Sequence, residues 1–196
     1  YVSIDDKFIG SIILMEENKE KTKEAIQTLK KRKIEIEMFT GDHKNSALYI
    51  GKQLGISEVK SEMLPDDKYH ELEKILKSTN DKVAFVGDGI NDSPVLALAS
   101  VGISMGGIGS SAAIEASDVV IMTDDISKIE SAIQISKITD RIIKQNLTFA
   151  LATKIIILLL SVFGIGGMWQ AIFADVGVTL ITILNTLRIL KYRIGK

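Results

Sequence analysis

The chain has 196 residues and a formal net charge of −1, and this length allows one large domain or a domain with an appendage. The charge balance excludes a protein whose whole surface binds nucleic acid, because that class needs a concentrated basic face. The chain contains no cysteine, which excludes disulfides, zinc ribbons and thiol nucleophiles within it. Because the net charge is close to zero, we expect no nucleic-acid partner.

Charged residues are distributed unevenly along the chain. Within the stretch 146–187 the only ionisable residues are Lys154 and Asp175, whereas nearly all other charges precede it. This pattern predicts a soluble α/β part followed by a membrane part. The predicted units are residues 1–135 and residues 136–196. Because the sequence opens without a signal peptide or an initiator methionine, we expect it to be a piece of a longer protein.

The soluble part alternates short apolar runs with amphipathic helical patterns. These patterns predict strands at residues 2–4, 8–14, 34–39, 83–86, 101–104 and 119–122. They predict helices at residues 18–33, 45–54, 66–77 and 95–99. The second helix is expected to end at Gly55, since glycine favours the position after a helix. Strand and helix alternation of this kind predicts a parallel sheet with helices on both faces.

A polar segment, Gly87-Asp88-Gly89-Ile90-Asn91-Asp92, follows the apolar run 83–86. In an open α/β sheet, ligands bind beyond the carboxyl ends of the strands. Closely spaced carboxylates at such a place suit Mg²⁺, which prefers oxygen ligands together with waters and a phosphate. The alternative is a turn that begins a helix, with Asn91 or Asp92 as its N-cap.

Two other segments add groups that bind anions. Thr40-Gly41 supplies a hydroxyl and a backbone N–H that an anion can approach closely, and Lys68 supplies a point charge suited to phosphate. Each signal is weak alone, because Thr-Gly-Asp is a common turn and a lysine before a helix is usually solvated. A hydroxyl, a lysine and paired aspartates in this order predict a magnesium–phosphate site.

The residues Thr40-Gly41-Asp42, Lys68 and the segment 87–94 resemble the haloacid-dehalogenase-like phosphorylation domain of P-type ATPases. The resemblance implies that Thr40, with the Gly41 amide, binds the phosphoryl group. It implies that Lys68 neutralises charge on a phosphoaspartate. Val101–Gly106 and Ser117–Val120 resemble the same family.

The resemblance also implies roles for the segment after the strand. Asp88 would ligate Mg²⁺ together with Asp92, and Asn91 and Asp92 would orient the water shell of the metal or the phosphoryl oxygens. ATP would be the nucleotide substrate of the family.

Three departures from the family pattern stand out. His43 replaces the usual asparagine after Thr-Gly-Asp, and Glu16 and Lys19 replace an aspartate and an arginine. The Asp-Lys-Thr-Gly motif that carries the nucleophile does not occur in these 196 residues. Without that carboxylate no covalent phosphoryl intermediate forms, so we expect this chain alone to be inactive.

Residues 146–163 and 168–190 are each close to the ~20 apolar residues that cross a bilayer, and the short glycine-rich linker between them predicts an antiparallel α-hairpin. Basic residues flank both open ends, which predicts that residues 1–145 and the C-terminus are cytoplasmic in a multi-pass plasma-membrane protein. These basic residues are Lys137, Arg141, Lys144, Arg188, Lys191, Arg193 and Lys196.

The two charges within the hairpin, Lys154 and Asp175, are expected at similar depth. They form either a structural ion pair or a cation site in which Asp175 binds the metal and Lys154 acts as counter-ion. Asn146 eight residues before Lys154, and Asp175-Val176-Gly177, resemble the last two helices of the zinc-, cadmium- and lead-transporting branch of P-type ATPases.

This resemblance implies the C-terminal portion of a Zn²⁺, Cd²⁺ or Pb²⁺ exporter that works through a phosphoaspartate. Its partners would be the lipid membrane, the divalent cation and the N-terminal remainder of the transporter. Two alternatives remain. One is a membrane-anchored module that binds Mg²⁺ and phosphate, and the other is an inert gene fragment.

Overall fold

The computed structural model describes residues 2–5, 7–10, 20–87, 90–106 and 111–192. The chain divides into two compact units, Tyr1–Ser127 and Lys128–Lys196. The division falls at the beginning of the longest helix. The boundary predicted after residue 135 lies inside that helix and stays a prediction.

The first unit is built on short strands that are mostly parallel. Its described strands are β1 (Val2–Ile4), β2 (Lys7–Gly10), β3 (Glu37–Phe39), β4 (Glu58–Lys60), β5 (Ala84–Gly87), β6 (Val101–Met105) and β7 (Val119–Ile121). An antiparallel pair, β1–β2, comes first. It is followed by the parallel pair β3–β4 and by a parallel three-stranded sheet in the order β5-β6-β7. The predicted class, parallel sheet with flanking helices, is confirmed.

Five described helices of the first unit connect these strands. They are α1 (Glu20–Lys31), α2 (Lys44–Leu54), α3 (Pro65–Ser78), α4 (Ser93–Leu98) and α5 (Ser111–Glu115). Helix α2 ends as predicted, because Gly55 adopts a left-handed φ of 76° and its N–H returns to carbonyls of the last turn. Helix α3 begins with Pro65, and the Asp67 carboxylate accepts the Leu64 N–H at 2.9 Å.

Two strands of the first unit differ most from the predicted elements. Strand β4 was not predicted, because its three residues have charged ends and show no readable alternation. The strand predicted at 34–39 is observed only as β3, which begins at Glu37. The residues before it are not part of the strand, because the chain turns after α1 at Lys33, which has a left-handed φ of 63°. The last part of the strand predicted at 8–14 lies outside the described residues.

The apolar core of the first unit joins its helices to its strands. Ile26, Leu54 and Ile56 form a buried cluster that joins α1 and α2 to the β3–β4 pair. Leu72 of α3 and Leu96 of α4 are among the most buried side chains. Burial of these side chains fixes the helices against the strands, and thereby the loops that follow β3 and β5.

The second unit contains helix α6 (Ser127–Val162), α7 (Met168–Ile172), a π-helical turn (Phe173–Gly177), α8 (Val178–Thr186) and a 3₁₀ turn (Leu187–Lys191). Ser127–Val162 and Met168–Leu190 are long and apolar enough, by length and composition, to cross a membrane. At ~1.5 Å per residue α6 is about 54 Å long, which exceeds the ~30 Å of bilayer hydrocarbon. Large apolar side chains on both stretches are exposed, including Leu158, Val162 and Trp169.

Candidate functional site

The loop after β3 is a compact polar turn made by Thr40, Gly41 and Asp42. The Thr40 hydroxyl donates to Asp42 Oδ2 at 2.9 Å, and the Asp42 N–H donates to Thr40 Oγ1 at 3.1 Å. A Cβ on Gly41 would lie 3.3 Å from the Met63 carbonyl oxygen, so a side chain there would press on the neighbouring loop. The three predicted residues thus form one preorganised turn.

Lys68 and Asp92 form a partly buried ion pair between α3 and the beginning of α4. Lys68 Nζ lies 2.9 Å from Asp92 Oδ1, and the two side chains are 18% and 12% exposed. A Cβ on Gly87 would lie 3.0 Å from Asp92 Oδ2, so the second carboxylate oxygen lies at the end of β5. Although Asp92 occupies the N-cap position of α4, no side-chain capping bond is present among the described residues.

The two halves of the site are joined through the short segment that leads into α3. The Thr40 N–H donates to the Lys60 carbonyl at 2.9 Å, and the Met63 N–H donates to the Thr40 carbonyl at 3.1 Å. The rings of Phe39 and Phe85 lie 6.4 Å apart and connect β3 with β5. These contacts join the Thr40 turn to the segment before α3 and join β3 to β5. That the hydroxyl, the lysine and the aspartate form one site stays a prediction.

Only part of the predicted magnesium site can be described. Asn91 is exposed in the 3₁₀ turn Ile90–Asp92, whereas Asp88 and Gly89 lie outside the described residues. Within the described ranges, no group of three or more histidine, aspartate or glutamate residues is arranged to hold a metal ion. The Asp92 carboxylate and the Asn91 amide nevertheless supply oxygen donors, which are the ligands that suit Mg²⁺.

Lys60 is a charged residue of the site region that sequence reasoning missed. Its ammonium pairs with Glu71 on α3, lies 3.8 Å from Glu37, and sits 5.7 Å from the centre of the Phe39 ring. The hydrogen bond from Lys60, followed by that from Lys74, holds the pKa of the Glu71 carboxyl below its usual range. No sequence signal distinguished Lys60 from an ordinary surface lysine.

His43, the departure from the family pattern, binds Glu62 of the segment before α3. His43 Nδ1 lies 2.9 Å from Glu62 Oε1. The Glu62 N–H donates to the Asp42 carbonyl at 2.9 Å, and Glu62 has a φ of 58°. The other departures, Glu16 and Lys19, lie outside the described residues.

In the second unit, Lys154 and Asp175 line the same open groove of about 580 Å³ between α6 and the segment after the turn. Among the described residues, no ion pair within 4.0 Å joins the side chains of Lys154 and Asp175. Asp175 lies in the π-helical turn, where Thr179 Oγ1 donates to its carbonyl at 2.6 Å. Turns of this type occur frequently at functional sites.

A set of interhelical hydrogen bonds, which the sequence did not indicate, joins α6 to α8. Asn146 Nδ2 donates to Thr186 Oγ1 at 3.0 Å and to the Thr182 carbonyl at 3.2 Å. Asn185 Nδ2 donates to Asn146 Oδ1 at 2.8 Å, and Arg188 donates to Asn185 Oδ1 at 2.9 Å. These bonds fix the pairing of the two helices.

Several known proteins similar to this chain are metal-transporting ATPases. It is 49% identical to the cadmium, zinc and cobalt-transporting ATPase of Bacillus subtilis, over 98% of this chain and 28% of that protein. It is 45% identical to the zinc-transporting ATPase of Synechocystis, over 97% of this chain and 27% of that protein. The chain thus spans less than a third of these relatives.

A solved structure of a transporting ATPase is also similar to this chain. The crystal structure of a zinc-transporting PIB-type ATPase in its E2.Pi state superposes with a TM-score of 0.79 and 34% identity, over 88% of this chain and 28% of that one. The predicted resemblance to zinc- and cadmium-transporting P-type ATPases is confirmed. The family model described as haloacid dehalogenase-like hydrolase matches residues 2–100. The chain belongs to the haloacid dehalogenase-like hydrolase family.

Proposed function

We propose that the chain is the C-terminal portion of an ATP-driven exporter of Zn²⁺, Cd²⁺ or Pb²⁺ that works through a phosphoaspartate. The observation that carries the proposal is the combination of two features in one chain. The first unit contains the Lys68–Asp92 ion pair, and the second unit is an apolar helical hairpin in which Lys154 and Asp175 line one groove. The similarity to transporting ATPases over 97–98% of this chain supports the same function.

The first unit would bind the phosphoryl group and its metal. Thr40 and the Gly41 amide would hold phosphoryl oxygens, and Lys68 would neutralise their charge as a point charge. Mg²⁺ would be held by Asp88 and Asp92, with Asn91 orienting its waters, and would stabilise charge on the transferring group. Asp42 would keep the Thr40 hydroxyl oriented, which is consistent with their 2.9 Å hydrogen bond.

The chemical step itself needs a residue from elsewhere. The Asp-Lys-Thr-Gly motif is absent from the 196 residues, so the nucleophilic carboxylate and the nucleotide-binding domain would belong to the N-terminal remainder of the transporter. The isolated chain would therefore bind phosphate and Mg²⁺ without hydrolysing ATP.

The second unit would carry the transported cation. Asp175 would bind the metal, and Lys154 on the same groove would replace it as counter-ion after release. Phosphorylation would couple to transport if the two states of the pump bind the cation at Asp175 with different affinity. With basic residues outside both ends of the hairpin, residues 1–145 and the C-terminus would be cytoplasmic in a plasma-membrane protein.

The DNA upstream of Tyr1 tests this proposal against both alternatives. We expect an in-frame sequence that encodes Asp-Lys-Thr-Gly and further membrane spans. A start codon immediately before Tyr1 would instead favour the membrane-anchored binding module. Binding of Mg²⁺ and inorganic phosphate by the full chain in lipid nanodiscs, weakened by Thr40→Ala, would argue against an inert gene fragment.

A further inference from the structure

The turn Thr40–Asp42 is held from one side by residues 60–63, which we call the clamp segment. Three backbone hydrogen bonds join them: Thr40 N–H to the Lys60 carbonyl, Met63 N–H to the Thr40 carbonyl, and Glu62 N–H to the Asp42 carbonyl, at 2.9, 3.1 and 2.9 Å. The position of the turn therefore depends on the conformation of the clamp segment.

Glu62 is the residue that gives the clamp segment its shape. Its φ of 58° lies in the left-handed region, which residues with a Cβ rarely adopt. Successive N–H groups converge on one side of a chain when one residue is left-handed, and the N–H groups of Glu62 and Met63 both face the turn. Backbone strain of this kind persists only where the surroundings fix it.

The side chain of Glu62 supplies that fixation. Its Oε1 lies 2.9 Å from Nδ1 of His43, the residue that follows the turn. Glu62 thus contacts the loop twice, through its N–H at Asp42 and through its carboxylate at His43. The two side chains are 54% and 91% exposed, so their bond contributes little to global stability, and its main effect is local.

We propose that Glu62, through His43, is a positioning residue for the phosphate-binding turn Thr40–Asp42. The proposal rests on the proposed function, since the turn would bind the phosphoryl group. Glu62 does not itself contact the phosphate. It keeps the Gly41 amide and the Thr40 hydroxyl in one arrangement before the anion arrives, and this preorganisation lowers the cost of binding.

Amide hydrogen exchange in the full chain, reconstituted in lipid nanodiscs, tests the positioning role without any ligand. In Glu62→Ala, exchange at the Thr40 and Met63 amides should accelerate about three- to fivefold, the upper range expected for loss of one exposed ion pair. Glu62→Gln keeps an acceptor for His43 and should return both rates to within about twofold of the unmodified chain. Glu62→Gly, which tolerates this φ, removes only the side chain and should still accelerate exchange.

Inorganic phosphate with Mg²⁺, measured by titration calorimetry, tests the consequence for binding. Glu62→Ala should weaken phosphate binding by a similar factor and Glu62→Gln should restore it, whereas Glu58→Ala on the exposed beginning of β4 should leave it unchanged. Unchanged exchange in both Glu62→Ala and Glu62→Gly, or no rescue by Glu62→Gln, would overturn the positioning role. If the unmodified chain binds no phosphate, the proposed function fails, and the exchange rates still decide the role of Glu62.

Discussion

At the scale of single residues, the site depends on compensation of a largely buried charge. The Asp92 side chain is only 12% exposed, and its Oδ1 accepts a hydrogen bond from Lys68. A partly buried carboxylate without a cation would pay a large desolvation cost, so the pair stabilises the loop before any ligand binds. A bound Mg²⁺ would then compete with Lys68 for the Asp92 carboxylate, and a bound phosphate would compete with Asp92 for the Lys68 ammonium.

Replacing Lys68 by methionine should therefore destabilise the first unit. We expect a loss of about 1.5–3 kcal/mol in the free energy of unfolding, since a charged hydrogen bond is lost and its acceptor stays buried. Urea titration of the full chain in nanodiscs, followed by circular dichroism, measures it. Lys68→Arg, which keeps the positive charge, should lose less, and equal stability of Lys68→Met and the unmodified chain would contradict this account.

Sequence reasoning identified candidate residues for the chemistry and missed the residues that contact them. Thr40, Lys68 and Asp92 were predictable because each follows or precedes a readable element, and parallel strands place such ends at one edge. Lys60 and Glu62 were not, because their roles depend on partners far away in the chain. The left-handed φ of Glu62 was also not predictable, because glutamate does not usually indicate a positive φ.

At the scale of elements, α3 is braced against the strand that supports the turn. Lys60, the last residue of β4, pairs with Glu71 one turn beyond Lys68 on the same helix. Hydrogen bonds from Lys60 and Lys74 lower the pKa of Glu71 because they favour its charged form. The brace therefore depends on pH.

Glu71→Gln should reveal this dependence. A folded-state pKa below the usual 4.5 means that the stabilisation is fully present above about pH 4.5 and is lost as the pH falls through the lower folded value. We expect Glu71→Gln to lower the free energy of unfolding by about 0.5–1 kcal/mol at pH 7. In acid, its free energy of unfolding should approach that of the unmodified chain. Urea titrations at several pH values measure it.

Glu73→Gln is the matched control on the same helix. Its carboxylate pairs with Lys77 at 2.9 Å on a more exposed surface. We expect Glu73→Gln to lower the free energy of unfolding at pH 7 by less than Glu71→Gln does. An identical pH profile for Glu71→Gln and Glu73→Gln would show that the contact with Lys60 has no special effect.

The helical hairpin is held by side-chain amides as well as by apolar packing. Asn146 on α6 exchanges hydrogen bonds with Asn185 and Thr186 of the opposite helical segment. Polar bonds between membrane helices contribute modestly, because the separated helices find other partners. Their main consequence is a defined pairing of the helices, and thereby a defined distance between Lys154 and Asp175.

Asn146→Val should loosen this pairing. We expect amide exchange in α8 to accelerate by roughly 3–30-fold, which corresponds to the ~0.6–2 kcal/mol that interhelical hydrogen bonds contribute. Thr153→Val is the control, since the Thr153 hydroxyl donates to the Phe149 carbonyl of its own helix. If both variants exchange alike in nanodiscs, the amide bonds do not hold the hairpin.

Most elements were predictable because their periodicity or end residues were strong. Helices α2 and α3 were found within one residue at each end, because Gly55 and Pro65 mark their limits. The π-helical turn around Asp175 was not predictable, since an apolar membrane helix has the same composition with or without it. Strand β4 was missed because tertiary pairing with β3, and not its own pattern, makes it a strand.

At the scale of the whole molecule, the two units divide the proposed work. The first would bind the phosphoryl group near the Lys68–Asp92 pair, and the second carries two charges on an apolar groove. The chain spans only 28% of the length of its Bacillus subtilis relative, so a complete catalytic cycle would need residues that it lacks. Under the proposed function, Asp175 would be the residue that most directly connects the chain to metal transport.

The decisive measurement is zinc-stimulated ATP hydrolysis by the intact transporter that contains this segment, reconstituted in nanodiscs. Asp175→Ala should reduce the stimulation at least about tenfold. Even residues that only hydrogen-bond to a metal ligand change metal affinity by about that factor when they are replaced. Asp140→Ala, which removes an exposed carboxylate paired with Lys144 on α6, should keep it. Full zinc stimulation in Asp175→Ala would contradict the assignment of this chain to the transport site.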